Sequence, residues 1–168
     1  MTRERSLILN AKQISQKLMR IAHEIHENFY KEKELVIVGI EGRGSELAKR
    51  LGKVLTEITT MQVNVEVISL NKEKPANSEV SFSGETKQLK GKFVILVDDV
   101  LNSGRTLIYA SRFILDADPK GLSIATLVER SYRRFPIHAD YVGLTLSTNL
   151  KEHVTVEMDK GKEAVYLE

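Results

Sequence analysis

A chain of 168 residues that is 42% hydrophobic and 29% charged can bury a substantial core, and it is expected to form one domain, 1–168, rather than a disordered or fibrous segment. A net charge of +2 is no argument for a nucleic-acid partner, so a basic face would have to come from local clustering of Lys and Arg. The absence of cysteine excludes disulfides, thiolate chemistry and Cys-ligated metals, and the charged start Met1–Ser6, with no long apolar run after it, gives the expectation of a cytoplasmic protein with no membrane partner.

Between Asn10 and Tyr30, apolar residues recur every three or four positions (Ile14, Leu18, Ile21, Ala22, Ile25, Phe29), which predicts an amphipathic helix. Its other face carries Lys12, Lys17, Arg20, Glu24 and Glu27, and His23 and His26 are read as partly solvated helix residues, since histidine spacing alone makes no metal site. Leu35–Ile40 is a continuous apolar run, the signature of a strand buried on both faces, and it ends in Glu41-Gly42-Arg43-Gly44-Ser45. Another amphipathic helix follows through Leu47, Ala48, Leu51, Val54, Leu55 and Ile58.

Gln62–Val67 alternates polar and apolar residues and predicts a half-exposed strand near a sheet edge. Asn71–Glu85 is polar and reads as a long loop, or a loose hairpin around Val80 and Phe82; a lid over a site and a linker are both open. A further helix through Leu107 to Leu115, a strand over Leu122–Val128, a short strand over Ala139–Leu144 and a terminal hairpin of Thr155–Met158 with Ala164–Leu167 complete the pattern. Alternating strands and helices predict an α/β domain with a mainly parallel twisted sheet flanked by helices.

The stretch that carries chemistry is Phe93–Thr106. An apolar strand, Phe93–Val97, leads into Asp98-Asp99, then Val100 and Leu101, then the small polar turn Asn102-Ser103-Gly104-Arg105-Thr106 before a helix. Carboxylates accept hydrogen bonds from sugar hydroxyls, and a Ser/Gly/Thr turn at a helix start presents N–H groups and hydroxyls to an anion. A ligand with a diol at one end and a phosphate at the other fits that order. Glu41–Ser45, Asp98–Thr106 and Glu129–Phe135 are all expected at the carboxyl edge of the sheet, where open α/β sheets bind ligands.

Two rival phosphate motifs fail. Gly39 and Gly44 have P-loop spacing, but Ser45 stands where that motif needs Lys; Gly42-Arg43-Gly44 opens like a dinucleotide fingerprint, but Leu47 takes the third glycine position. A receiver-type phosphoacceptor reading of Asp98 or Asp99 gives no role to the Asn102–Thr106 turn.

Val94–Thr106 closely resembles the 5-phosphoribosyl-1-pyrophosphate (PRPP) signature of the type I phosphoribosyltransferases. Arg20–Glu24, Val38–Ile40 with Arg43-Gly44, Leu47–Leu51, Pro136-Ile137 and Ala139–Gly143 are similar to the family of bifunctional pyrimidine-operon regulators and uracil phosphoribosyltransferases. The resemblance implies a phosphoribosyltransferase fold with a mobile flap and a small base-binding hood, and transfer of phosphoribose from PRPP to a nucleobase, uracil first. It implies that Asp98 and Asp99 hold the ribose hydroxyls and, directly or through water, Mg²⁺; that Asn102, Ser103, Gly104, Arg105 and Thr106, after Val100 and Leu101, hold the 5-phosphate; and that Glu41, Gly42, Arg43 and Gly44 face the pyrophosphate.

By the same resemblance Asn71 and Lys72 lie on the flap, where Asn71 replaces the family's arginine. Val128, Glu129 and Arg130 with Tyr141 and Val142 lie on the base side, and Asp98, Asp99 and Arg43 are the catalytic set. A nucleoside monophosphate is the product ligand, and a homodimer or larger homo-oligomer is expected. RNA is the further partner the family implies, through the helix around His23 and the loop Ser131–His138. Here Tyr132 stands at a usual His and His138 at a usual Arg, Arg133 matches, and Arg134 is an added charge.

Overall fold

The computed structural model describes residues 5–168, so most of the charged start Met1–Ser6 lies outside the described residues. The elements are β1 Ser6–Asn10, α1 Ala11–Phe29, β2 Glu34–Ile40, α2 Arg43–Ile58, β3 Gln62–Ser69, β4 Ser81–Phe82, β5 Phe93–Leu101, α3 Arg105–Leu115, β6 Gly121–Arg130, β7 Tyr141–Leu146, β8 Val154–Glu157 and β9 Ala164–Leu167. Six strands form one sheet in the order β4-β3-β2-β5-β6-β7, parallel throughout except for the β3–β4 pair. A separate antiparallel sheet, β1-β9-β8, sits beside it.

The continuous apolar runs are explained by helices on both faces of the large sheet. Leu35, Ile37, Ile95 and Val97 point into a core with Ile14, Leu18, Ile21 and Ile25 of α1 and Leu47, Leu51 and Leu55 of α2. Val36, Val38, Ile40, Val94 and Leu96 point the other way, against Leu107, Ala110 and Ile114 of α3. Burying each such side chain contributes about 1.5–3 kcal/mol, so β2 and β5 are fixed in the middle of the sheet by both cores. The small sheet joins the first core through Val156, Met158 and Val165.

Chain order turns at β2 and β5. From β2 the chain runs through α2 outward to β3; from β5 it runs through α3 outward to β6 on the other side. The loops after β2 and β5 therefore diverge, and a crevice opens between them at the carboxyl ends of the strands.

Several sequence expectations need correction. The central strand does not stop at Val97; β5 runs to Leu101, pairing with β6 from Phe93↔Gly121 to Leu101↔Glu129, so Asp98 and Asp99 are strand residues. Likewise Glu129 and Arg130 belong to β6 and are buried rather than placed in a solvated loop. Strand β1 is an addition, because its exposed first residues show no periodicity until Asn10. The polar stretch after Asn71 is the loose hairpin: β4 pairs back on β3 through Ile68↔Phe82 and Ser69↔Ser81, with Phe82 against Phe113 of α3 at a centroid distance of 5.8 Å.

Asn10 ends β1 and caps α1 at once. Its Oδ1 accepts from the Gln13 N–H at 2.9 Å, and Gln13 Oε1 accepts from the Asn10 N–H at 2.9 Å, a reciprocal capping box. Asn10→Ala is expected to cost about 1 kcal/mol. That corresponds to a thermal midpoint about 2–4 °C lower by calorimetry; an unchanged midpoint would show that β1 pairing alone holds this junction.

Candidate active site

The crevice between the β2 and β5 loops holds a cavity of about 420 Å³, within the range typical of small-molecule sites. Gly42 and Arg43 form one wall and the run from Asp98 to Leu107 the floor and opposite wall, while Lys72 enters from the hairpin after β3 and Val154 from the small sheet. Four separate parts of the sequence thus converge on one polar hollow. Both helices that flank it point their amino ends inward: Arg43 is the first residue of α2 and Arg105 the first of α3. Their opening N–H groups have no acceptor within the helix, and the helix dipoles favour an anion there.

Gly104 makes the second wall possible. It has φ of 85°, in the left-handed region, and a Cβ there would lie 2.3 Å from Ile137 Cγ2, so the turn is pinned beneath the loop that follows β6. The Ser103 carbonyl accepts from the N–H groups of Arg134 and Phe135 at 3.0 and 3.1 Å, which fixes the turn further. Gly44 permits a second close approach, onto the buried carboxylate. A Cβ there would lie 2.8 Å from Asp98 Oδ1 and 3.0 Å from the Val97 carbonyl, so α2 starts directly over the end of β5 only because residue 44 has no side chain.

Under that cover Asp98 is 5% exposed, and its Oδ1 accepts from the Asp99 N–H at 2.9 Å. Burial, and after it the neighbouring charge of Asp99, push the Asp98 carboxyl well above the ordinary carboxylate range; the Lys72 ammonium pulls in the opposite direction. Asp99 is half-buried and opens to the cavity, with Arg43 Nη1 at 4.0 Å from its Oδ2. A pair at that separation, with Arg43 57% exposed, is weak and leaves the guanidinium able to meet a ligand anion.

The sequence-predicted residues divide into those the fold brings together and those it does not. Gly42, Arg43, Lys72, Asp98, Asp99, Val100, Leu101, Asn102, Ser103, Gly104, Arg105 and Thr106 share the cavity. Glu41 does not; its carboxylate turns away to the Ser69 hydroxyl on β3. Gly44 lies beneath the cavity, against Asp98. Asn71 spends its Oδ1 on the N–H groups of Glu73 and Lys74, at 2.9 and 3.1 Å, shaping the turn that presents Lys72.

The residues expected on the base side lie outside this cavity. Val128 is buried in the first core, and Glu129 accepts from Arg133 Nη2 at 2.7 Å. Arg130 is engaged by protein acceptors on neighbouring loops. Tyr141 opens β7 at the register of Ala125, and its hydroxyl accepts from Asn28 of α1 at 2.7 Å, while the Val142 carbonyl accepts from Arg20 at 2.7 Å. Register sets Tyr141 level with Val97 and Val142 level with Asp98, but β7 lies two strands from β5, and neither residue lines the cavity between the β2 and β5 loops. Val154, which does, was not foreseen; as the first residue of a short terminal strand it carries no local signal.

A divalent cation can be tested against these side chains. Among the described residues no group of three or more His, Cys, Asp or Glu forms a ready-made metal site. Two adjacent carboxylates, one of them held against ionisation, are nonetheless the hard oxygen donors that Mg²⁺ takes, in a setting where a substrate would supply the remaining oxygens. The donor set fits Mg²⁺ shared with an oxygen-rich ligand. Among the described residues no helix is long and apolar enough to cross a membrane.

A match to the phosphoribosyl transferase domain covers residues 4–160. The bifunctional protein PyrR of Macrococcus caseolyticus is 35% identical over 98% of this chain and 99% of its own length. That of Pelotomaculum thermopropionicum is 39% identical over 99% and 97%. Among solved structures, a hypoxanthine-guanine phosphoribosyltransferase from Bacillus anthracis aligns with a TM-score of 0.76 at 19% identity, covering 95% of each chain. The hypoxanthine phosphoribosyltransferase of Trypanosoma cruzi aligns with 0.79 at 17%, over 96% of this chain and 95% of that one. At such identities the structures speak for the fold alone, whereas the domain match and the near full-length relatives establish that the chain belongs to the phosphoribosyltransferase family, in the branch of the bifunctional PyrR proteins.

Proposed function

We propose that this protein transfers phosphoribose from PRPP to uracil, with Mg²⁺, releasing pyrophosphate and forming the nucleoside monophosphate. The observation that carries the reading is the single cavity that combines an adjacent carboxylate pair, two helix amino ends and the cations Arg43 and Lys72. We read residues 1–168 as one functional unit, working in the cytoplasm and as a homo-oligomer.

The reaction breaks the bond from the anomeric carbon to the pyrophosphate oxygen and forms one from that carbon to the base nitrogen, with loss of the nitrogen's proton. Positive charge spreads over the ribose as the polyanion departs, so the protein's task is electrostatic positioning. In this reading the Asn102–Thr106 turn and the start of α3 seat the 5-phosphate, Asp98 and Asp99 accept from the ribose hydroxyls beside the developing cation, and Arg43 with Lys72 faces the leaving group. Asp99, the more open carboxylate, is placed to accept the proton from the base. Asp98 and Asp99 would hold Mg²⁺, which when bound neutralises charge on the departing pyrophosphate.

A second reading, a nucleotide-sensing regulator that binds RNA, is supported by the relatives, which are named as bifunctional. The loop after β6 gives it uneven support. Arg134 is exposed, with its guanidinium on the Tyr132 hydroxyl, but Arg133 is folded inward onto Glu129 and His138. If RNA is bound, affinity should fall steeply as salt rises and Arg134→Ala should shrink that salt slope by about one unit; binding indifferent to RNA sequence would remove the regulatory reading.

Catalysis is tested by pyrophosphate release from PRPP across a panel of nucleobases with Mg²⁺. Uracil is expected to give the highest kcat/KM, and Asp99→Asn to lower kcat by about 10²–10⁴-fold if Asp99 takes the proton. Release with no base of the panel would overturn the enzymatic reading.

The raised pKa of Asp98 gives a stability prediction with a definite sign. Its folded value lies above its unfolded one, so the folded state is penalised for ionising it; the penalty is absent below the ordinary carboxylate range and grows as the pH rises toward the folded pKa. Asp98→Asn should therefore raise the ligand-free thermal midpoint at pH 8, by an amount on the order of 1 kcal/mol, or about 2–4 °C. The gain should vanish below about pH 4. A midpoint lowered at pH 8 would show that the carboxylate stabilises the empty site.

A further inference from the structure

Arg130 closes β6 at the carboxyl edge of the sheet and is only 7% exposed. Among the described residues it makes no ion pair, an uncommon situation for a buried guanidinium. Its donors are spent on three separate places. Nη1 donates to Asn102 Oδ1 at 3.0 Å, Nε to Thr148 Oγ1 at 2.8 Å, and Nη2 to the carbonyls of Asn149 and Glu152 at 3.1 and 3.0 Å. Asn102 belongs to the turn at the start of α3. The other three acceptors belong to the irregular segment between β7 and β8 that delivers Val154 to the cavity.

The segment's ends are held elsewhere, by the Ser131 and Ser147 hydroxyls at 3.3 Å and by a backbone pair between His153 and Glu168 at 2.8 and 2.9 Å. Its internal bonds are short-range: Asn149 Oδ1 accepts from the N–H groups of Lys151 and Glu152, and Glu152 Oε2 accepts from the Asn149 N–H. They form a compact turn between those ends. Arg130 ties the middle of that turn to Asn102, because a planar guanidinium with a fixed fork of donors cannot move toward one acceptor without leaving another.

We propose that Arg130 is a positioning residue that couples the anion-binding turn at Asn102 to the Val154 wall of the cavity, so that a phosphate held at the turn organises the wall left for the base once Arg43 and Lys72 face the leaving group. The proposal rests on the phosphoribosyl reading of the cavity and adds a direction to it. A cation buried without a carboxylate is carried by hydroxyl, amide and carbonyl dipoles, and an anion arriving at the adjoining turn improves its electrostatic environment. The Asn102–Arg130 bond then tightens, and with it the hold on Thr148, Asn149 and Glu152. Arg130 touches no reacting atom in this scheme; it makes ligand affinity on one side depend on occupancy of the other.

The test separates the two halves of the ligand. Calorimetry would measure ribose 5-phosphate and uridine 5′-monophosphate with the intact protein, Arg130→Met, Arg130→Lys and Thr148→Val. Arg130→Met should lose some affinity for ribose 5-phosphate, since anion and guanidinium favour each other across Asn102, and in addition about tenfold of the extra affinity that the base confers, the size of coupling expected between contacting groups. Arg130→Lys should not restore it, since an ammonium lacks the fork. Thr148→Val, which removes one acceptor and leaves β6 intact, should show the same split at about threefold, and it decides the matter if Arg130→Met does not fold. Equal losses for both ligands, or an unchanged difference between them in the folded variants, would overturn the coupling while leaving the phosphoribosyl reading in place. Failure of the intact protein to bind either ligand would overturn that reading and the coupling with it.

Discussion

The site depends on a burial that would be unfavourable in isolation: a carboxylate, Asp98, held 5% exposed in the middle of a parallel sheet. β5 is paired on both sides, with β2 and with β6, and each of its faces is packed by helices. The strand cannot rotate to release Asp98 to water without giving up core contacts worth several kcal/mol. Gly44 completes the enclosure by letting the first turn of α2 settle over the carboxylate. The cost of desolvation is thus stored in the ligand-free fold.

That stored cost gives the cavity its polarity. One carboxylate resists ionisation next to another that is open, with two helix amino ends and the cations Arg43 and Lys72 around them. Such a hollow has its donors and acceptors in place before a ligand enters, so little reorganisation is needed when charge develops. The same enclosure explains why so few side chains face the ligand. Most of the surrounding polar groups, including Glu41, Asn71 and Arg130, are used to hold the loops in position.

Much of this was legible in the residue order. The unbroken apolar runs Leu35–Ile40 and Phe93–Val97 can only be satisfied between two helical layers, and the periodicity of Ile14 to Phe29 and Leu47 to Ile58 supplies those helices. The turn Asn102–Thr106 follows its strand directly, so the carboxylates and the turn that share the cavity are visible within a dozen residues. Less visible was where β5 and β6 end. Asp98, Asp99, Glu129 and Arg130 look like loop residues by composition, but register with the neighbouring strands keeps them in the sheet. The strand position of Tyr141 and Val142 was equally hidden: β7 lies two strands from β5, and the Tyr141 hydroxyl is taken by Asn28 of α1.

The sequence by itself determined the fold class, the carboxylate pair and the small polar turn at the start of α3, because each is encoded in residues adjacent along the chain, where periodicity and turn chemistry act locally. Only the tertiary structure decided that Lys72 and Val154 complete the cavity, that Glu41, Tyr141 and Val142 do not line it, and that Arg130 ties the turn to the segment before β8. Those outcomes depend on which strands lie side by side and on which acceptors a buried guanidinium finds. Contacts between positions far apart in the chain are fixed by packing as a whole, and they leave no local trace in the order of residues.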